Sequence, residues 1–407
     1  MENKGSSAYN FHKEGFMPQE EMLEVGKQKK SLKIGIPSEN HQVESRVPLT
    51  PEAVEILTAY GHEVMLETGA GKASNYINTD YSERGGLICE KREEVFQQSD
   101  VILKISPPTT EEIGWMKERQ VLLSSFQVFT HCKESYIRSL MNKKVTAIAF
   151  EKIQDEHNCF PVVRSMSAIA GTTSMLIAAE YLSNQRGGKG VMLGGVTGIS
   201  PTEVVILGAG TVAEYAVRAA RGVGSEVKVF DHSLHRLRRL QASVGQMIPT
   251  SIFHPKVILK ALRSAEVVIG AIRREEGQPE FFITEEMVKQ MKKGSVIIDI
   301  SIDRGGSIET SELRTQLDPV FVKHGVIHYC VPNIASTVAR TASIAISNVF
   351  APLILGLGAL GTTGKHLKEN IGLRKGVYMY NGILTSEVVG QKLGISSKDI
   401  DLLMAAF

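Results

Sequence analysis

The sequence predicts an α/β protein of two Rossmann-like domains with mostly parallel sheets, and three observations carry that prediction. At 407 residues the chain exceeds what one ordinary hydrophobic core serves. From Leu32 onward, apolar runs of strand length alternate with segments of helical period. One stretch, PTEVVILGAGTVAEYAVRAARGVGSEVKVFD at 201–231, reads strand, glycine-rich turn, helix and strand in immediate succession.

Residues 1–30 are polar, charged and without a clear period apart from MPQEEMLEVGKQ, and read as an N-terminal extension. The first domain, expected over 31–161, opens with the strand LKIGIP. Thr50-Pro51-Glu52 then supplies an N-cap and a proline at the first helical position, for a helix to Tyr60 that stops at Gly61. A strand at Glu63–Glu67 follows, and the alternation continues through VILKIS, a strand at Gln120–Phe126, the helix of ESYIRSLMNKK and the strand VTAIAFE. From Pro161 small residues take over in SMSAIAGTTSMLIAAEYL, a helix, before the glycine-rich loop NQRGGKGVMLGGVTGISP. Beyond Asp231, strands are expected at Glu266–Ile272, Ser295–Ser301 and Val326–Val331, completing a doubly wound domain over 162–340. After Asn333 the chain turns helical from Ser343 to about Leu357, and the tail 341–407 is expected to return to the first domain without adding a strand. No fixed-period repeat links the two halves.

Composition narrows the classes of function. Lys+Arg 46 against Asp+Glu 44, with neither sign gathered into blocks, argues against nucleic acid and anionic membrane surfaces as partners. The longest apolar run, Val349–Leu360, is broken by Pro352 and glycines and is too short to span a bilayer. The opening MENKGSSAYNFHKEG is polar, unlike a secretory signal. Cys89, Cys132, Cys159 and Cys330 are scattered, so four free thiols in a reducing, cytoplasmic compartment are expected, and no residue set is assigned to a metal.

Within 201–231 each part has a mechanical role. Gly208 permits the tight turn, Gly210 lets the backbone approach a pyrophosphate, and Ala213 lets the helix lie close on the strand. Phosphates then meet the free N–H groups and positive dipole end of the helix. Asp231, 23 residues after Gly208, is placed to accept from both adenosine ribose hydroxyls. That carboxylate would repel a 2′-phosphate, so NAD is favoured over NADP, although Arg236, Arg238 and Arg239 follow closely and could offset the repulsion.

A wider pattern then becomes visible. GIPSENHQVESRVPLTPEAV, GHEVMLETGAG, VILK, PVVRSMSAIAG, GVMLGGVTGISPTEVVILGAGTVAEYA, VIGAI, SVIIDISIDRGG and HYCVPN span nearly all of Leu32–Asn348. In order and spacing this set resembles the alanine dehydrogenase family, which includes the NAD-binding subunit of proton-translocating transhydrogenase. The resemblance implies an NAD-dependent enzyme with its active site in the cleft between the domains, a small substrate such as alanine, pyruvate or a related 2-oxo acid, and a homo-oligomer, hexamer or dimer. It also implies residue roles. Arg46 would hold the substrate carboxylate, as a planar guanidinium fork suits. Asp303 would stand near the nicotinamide, Asn333 would contact the nicotinamide side, and Ser167 would lie near the cofactor phosphates. Local readings compete for each: a solvated loop arginine, a turn-capping aspartate ahead of Gly305-Gly306, and ordinary cap or turn bonds.

Two positions depart from the family. The segment VILKISPP keeps the first of two lysines as Lys104, but the second, which contacts the substrate carbonyl, is Ser106. The segment LLSSFQV has Gln127 at the catalytic histidine position. Glutamine cannot act as a general acid or base, and serine brings no positive charge to a developing oxyanion. Lys104, His131 and Arg164 are candidates to compensate. Gln127 and Lys104 would then position or polarise the substrate while Asp303 takes the remaining proton-transfer role. Two alternatives remain beside a working dehydrogenase: an NAD(H)-binding protein without turnover, and a transhydrogenase-like subunit that needs a partner chain carrying NADP.

Overall fold

Strands and helices alternate as the apolar spacing requires, and the computed structural model gathers the strands into two separate sheets. Residues 31–126, 133–272, 281–359 and 363–406 are described. The first half contributes β1 (Lys33–Ile36), β2 (Glu63–Glu67), β3 (Leu87–Cys89), β4 (Val101–Leu103), β5 (Val121–Ser124) and β6 (Thr146–Ala149). The second sheet is built from β7 (Glu203–Leu207), β8 (Glu226–Phe230), β9 (Thr250–Ser251), β10 (Val267–Gly270), β11 (Val296–Asp299), β12 (Val320–Lys323) and β13 (Val326–Tyr329). Near the C-terminus, β14 (Val377–Tyr380) and β15 (Ile383–Leu384) join the first sheet.

The strand orders are β15-β14-β6-β5-β4-β1-β2-β3 and β12-β13-β11-β10-β7-β8-β9. Each sheet therefore holds six parallel strands wound outward in both directions from its first two inner members. The winding reverses between β1 and β4 in one sheet and between β7 and β10 in the other. At such reversals the loops leaving the C-terminal strand ends diverge, and the crevice between them is where open sheets take ligands.

The tail corrects one expectation. It adds two strands, with β14 antiparallel to β6 through Val377 opposite Ile148. The signal was present in YNGI: Asn381 and Gly382 both have positive φ, 47° and 79°, as a two-residue hairpin between β14 and β15 demands. Four-residue VYMY is too short to show a period, so only pairing with β6 reveals it as a strand.

Two long helices tie the sheets together. Helix Pro161–Leu182 buries Val162 in the core of the first sheet and Ala170 to Leu182 in the core of the second. At Gly171 it meets the helix Thr211–Gly222 so closely that a Cβ would lie 2.2 Å from the Val212 carbonyl oxygen. Helix Ala339–Ala359 lays Ile346, Phe350, Ile354 and Leu357 on the first sheet. The expectation that no apolar stretch reaches bilayer length fails here. Helical structure runs from Ile334 through Pro352 to Ala359, and both this segment and 161–182 are long and apolar enough to cross a membrane. Their apolarity serves packing, with 50% and 44% of their most apolar windows buried inside the protein.

Cys89, Cys159 and Cys330 are free thiols. One buried titratable group bears on stability. His328 in β13 is fully buried, with Nδ1 at 2.9 Å from the Val326 carbonyl and Nε2 at 2.8 Å from Thr310 Oγ1. Burial pushes its pKa down to about 4. Because the folded value lies below the unfolded one, the neutral ring's contribution is complete above about pH 6.5 and is lost as pH falls from there toward 4. Chemical denaturation at a series of pH values should show a loss of about 3 kcal/mol across that window, and His328→Gln should flatten it.

Candidate functional site

The two crevices differ in chemistry. At the end of β7 the chain turns through Gly208, whose φ of 100° and contact with the Ala271 carbonyl, 2.5 Å from where a Cβ would sit, exclude any side chain. Gly210 is the N-cap of helix Thr211–Gly222, and a Cβ there would meet nothing within 4 Å. That open space lies at the helix N-terminus, whose first N–H groups have no intrahelical partner. Ala213 is fully buried under the helix. Asp231, 3% exposed at the end of β8, accepts from Ala209 N at 2.7 Å and from Ser233 N at 2.8 Å, one bond to each oxygen. It thereby holds the glycine turn against the next loop, and each oxygen keeps a lone pair for a further donor. Gly208, Gly210, Ala213 and Asp231, four of the six residues read from the sequence as cofactor-binding, thus lie together at one strand end, whereas Ser167 and Asn333 lie on other elements.

The crevice of the first sheet is lined by buried charge. Arg46 lies in the loop after β1 and is 9% exposed. Its Nε and Nη2 donate to the two carboxylate oxygens of Glu44 at 2.7 and 2.6 Å, a side-on fork, while Nη1 points at Met166 Sδ, 3.3 Å away. Only the other edge, Nη1 with the second hydrogen of Nη2, is left for a ligand carboxylate. Glu44 also accepts from its own loop at Arg46 N, from Asn333 Nδ2 at 2.7 Å and from Ser336 Oγ at 3.1 Å. Burial opposes charge on this carboxyl, but the Arg46 guanidinium and these donors hold it below the usual carboxylate range. Asn333, in the left-handed conformation at φ 60°, accordingly faces the first half of the chain.

The rest of that loop is satisfied by serines from the same region. Ser45 N, Val47 N and Thr50 N donate to Ser336, Ser343 and Ser347 Oγ at 2.9, 2.9 and 3.1 Å. Glu44 and this serine ladder were missed from the sequence. The spacing 336, 343, 347 follows one face of a helix, but apolar neighbours mask it until the packing partner is known.

Lys104, immediately after β4, is 4% exposed and ion-paired to Glu112 at 3.1 Å and Glu39 at 3.6 Å. Glu39 Oε1 in turn accepts from Ile105 N at 2.6 Å and Ser106 N at 3.3 Å. Ser106 is half-buried beside this cluster. Ser167 is half-buried on the helix Pro161–Leu182, one residue beyond Met166, and its side chain makes no hydrogen bond among the described residues. Asp303 sits past β11 in the short turn Ile302–Arg304, exposed and 3.8 Å from Arg304. The adjoining turn is organised by Asp299, which accepts from Ser301 N and Oγ, Ser307 N and Oγ and Ser311 Oγ. Arg164 is exposed, its guanidinium beside Cys159 Sγ at 3.9 Å. Gln127 and His131 lie outside the described residues.

Comparison with known proteins identifies the family. Residues 35–170 match the model of the alanine dehydrogenase/PNT N-terminal domain, and 174–387 that of the C-terminal domain. The chain belongs to the alanine dehydrogenase/PNT family. Among its relatives, an alanine dehydrogenase of Methanococcus maripaludis is 38% identical over 359 residues, covering 88% of this chain and 95% of that protein. One from Bacillus subtilis is 38% identical over 362 residues, covering 89% and 94%. A solved L-alanine dehydrogenase superposes with a TM-score of 0.82 at 32% identity, covering 88% of this chain and 98% of that one. The two α/β halves and their parallel sheets are those of the family.

Breaking the Glu44–Arg46 pair leaves a buried guanidinium without its counterion. Glu44→Ala should cost about 3–5 kcal/mol in urea denaturation, far more than an exposed pair such as Arg138–Glu134 is worth.

Proposed function

We propose that this chain is an NAD-dependent oxidoreductase that interconverts L-alanine, or a closely related small amino acid, with its 2-oxo acid and ammonium. The observation that carries this reading is the pairing of a glycine turn at Gly208–Gly210, with open space at the helix N-terminus, with a buried arginine, Arg46, held side-on by Glu44. NAD when bound supplies the hydride acceptor, and the chain's residues do the rest. Gly208 and Gly210 admit the pyrophosphate, Ser167 lies near it, Asp231 takes the adenosine ribose and Asn333 borders the nicotinamide side. Arg46 grips the substrate carboxylate and thereby orients Cα, which binding energy converts into rate. Asp303, exposed beside Arg304 in the short turn past β11, takes the remaining proton-transfer role. Lys104 and Gln127 place the reacting nitrogen and oxygen, and Ser106 lines the same loop. The division into 31–161 plus 341–407 and 162–340, a homo-oligomer of hexameric or dimeric form and a cytoplasmic location belong to the same proposal.

Turnover of L-alanine with NAD, and of pyruvate with NADH and ammonium, tests this directly. Tight NADH binding without turnover of any 2-oxo acid would overturn it. Arg46→Lys, which keeps the charge but not the fork, should lower kcat/KM for alanine by about 100-fold while NADH binding is retained. Asp231→Asn should reduce the preference for NADH over NADPH by about tenfold, the equivalent of ~1.4 kcal/mol, in a fluorescence titration of both cofactors.

One observation favours the second reading, a cofactor-binding protein without turnover: Lys104 is already held by Glu112 and Glu39. In that case the Ser106→Lys, Gln127→His double variant should gain alanine turnover that the natural chain lacks.

A further inference from the structure

The strand-end crevice of the first sheet holds more negative than positive charge. Glu39, Glu112 and Glu67 face Lys104 and Arg92. Arg92 Nε binds Glu67 Oε2 at 2.8 Å, its Nη1 reaches Glu112 Oε1 at 3.4 Å, and its Nη2 donates to the Ser38 carbonyl. Glu67 is further held by Ser38 N at 2.7 Å, and Glu112 Oε2 by Thr109 N at 2.7 Å. The neighbouring Glu44 is matched by Arg46, and His41 lies against Ser38 Oγ. Among the described residues of this cluster, carboxylates therefore outnumber cations by one, in a region where Glu39, Glu112 and Lys104 are almost wholly buried. Among these groups a single oxygen stands apart. Glu39 Oε2 is buried and has no hydrogen-bond partner, only the Lys104 ammonium at 3.6 Å.

We propose that Glu39 is the proton acceptor of the substrate site, taking a proton on Oε2 from the ammonium of a bound 2-amino acid. The proposal rests on the amino-acid dehydrogenase reading above. A zwitterionic substrate would present a carboxylate to Arg46 and an ammonium to the carboxylate-rich cluster around Glu39, both carried by the loop after β1. In the step, an N–H bond of the ammonium breaks, its electron pair stays on nitrogen, and an O–H bond forms at Oε2. The neutral amine then has the lone pair that forms C=N as hydride leaves Cα, and the neutral Glu39 acid removes the unmatched charge. Burial raises the Glu39 carboxyl above its ordinary range, against the lowering influence of Lys104. A carboxyl so raised holds a proton more firmly than an ordinary glutamate, as a proton acceptor requires. It would fill the role that Gln127 cannot, from an element adjoining Ser106.

Infrared difference spectroscopy of the full-length protein over about pH 5 to 9 tests where the proton sits without relying on turnover. A protonated-carboxyl band should titrate above the ordinary glutamate range and be absent in Glu39→Gln. Lys104→Met, which removes the opposing cation, should move that midpoint to higher pH, and this arm stands if Glu39→Gln does not fold. In the kcat/KM profile for L-alanine, Glu39→Gln should lose about 100-fold and also lose the acid limb. A purely structural residue would lower activity with the limb unchanged. Absence of a titrating band, or an unchanged limb in Glu39→Gln, overturns the proposal. A wild-type protein that shows the band but turns over no amino acid overturns the dehydrogenase reading and the proton transfer from substrate together, while the proton's place on Glu39 stands.

Discussion

The carboxylate of Glu44 is the point on which the site depends. It is buried, and burial of a charge is tolerated only where donors surround it. Those donors come from three places: the guanidinium and backbone of Arg46, the amide of Asn333 and the hydroxyl of Ser336. One side chain thus ties the loop after β1 to the segment where the chain leaves the second sheet. It also decides which edge of Arg46 remains for a ligand. A neighbouring carboxylate uses one edge of the guanidinium and fixes its direction, the kind of second-layer bonding that the carboxylate-binding role proposed for Arg46 requires.

The two crevices share a topology and differ in what fills them. At β7 and β10 the backbone is bared by Gly208 and Gly210, and the helix end presents unpaired N–H groups, so the crevice suits phosphate. At β1 and β4 the corresponding loops carry Glu39 and Lys104, whose side chains occupy the space. Long helices pass between the sheets, and their small residues matter most where they allow contact. Gly171 is one such position, because any side chain there would strike the backbone at Val212.

Much of this was legible in the chain. The alternation of strands and helices, the glycine turn and Asp231 follow from local rules, since period, turn chemistry and helix ends act over a few residues. Other features were not. The strand VYMY is too short to show alternation, and its pairing with β6 depends on a segment more than two hundred residues away. Pro352 read as an interruption of the apolar run, yet it sits inside the helix Ala339–Ala359, whose apolar residues pack on the first sheet. Lys104 read as a candidate to compensate for Ser106, or else as the partner of a structural acid. Its two carboxylate partners, one eight residues ahead in sequence and one in the loop after β1, could be identified only once β1 and β4 lay side by side.

By itself, then, the sequence determined the class of fold, the place of the dinucleotide turn and the absence of lysine and histidine at positions 106 and 127, because each is written in neighbouring residues. The tertiary structure alone decided how the charged groups are shared. Arg46, Asp303, Lys104 and Asn333 each had a chemically sensible role as isolated residues. Which of them is occupied, which is exposed, and where buried carboxylates outnumber cations depend on partners from distant segments, and charge balance in a buried pocket is a property of all of them together.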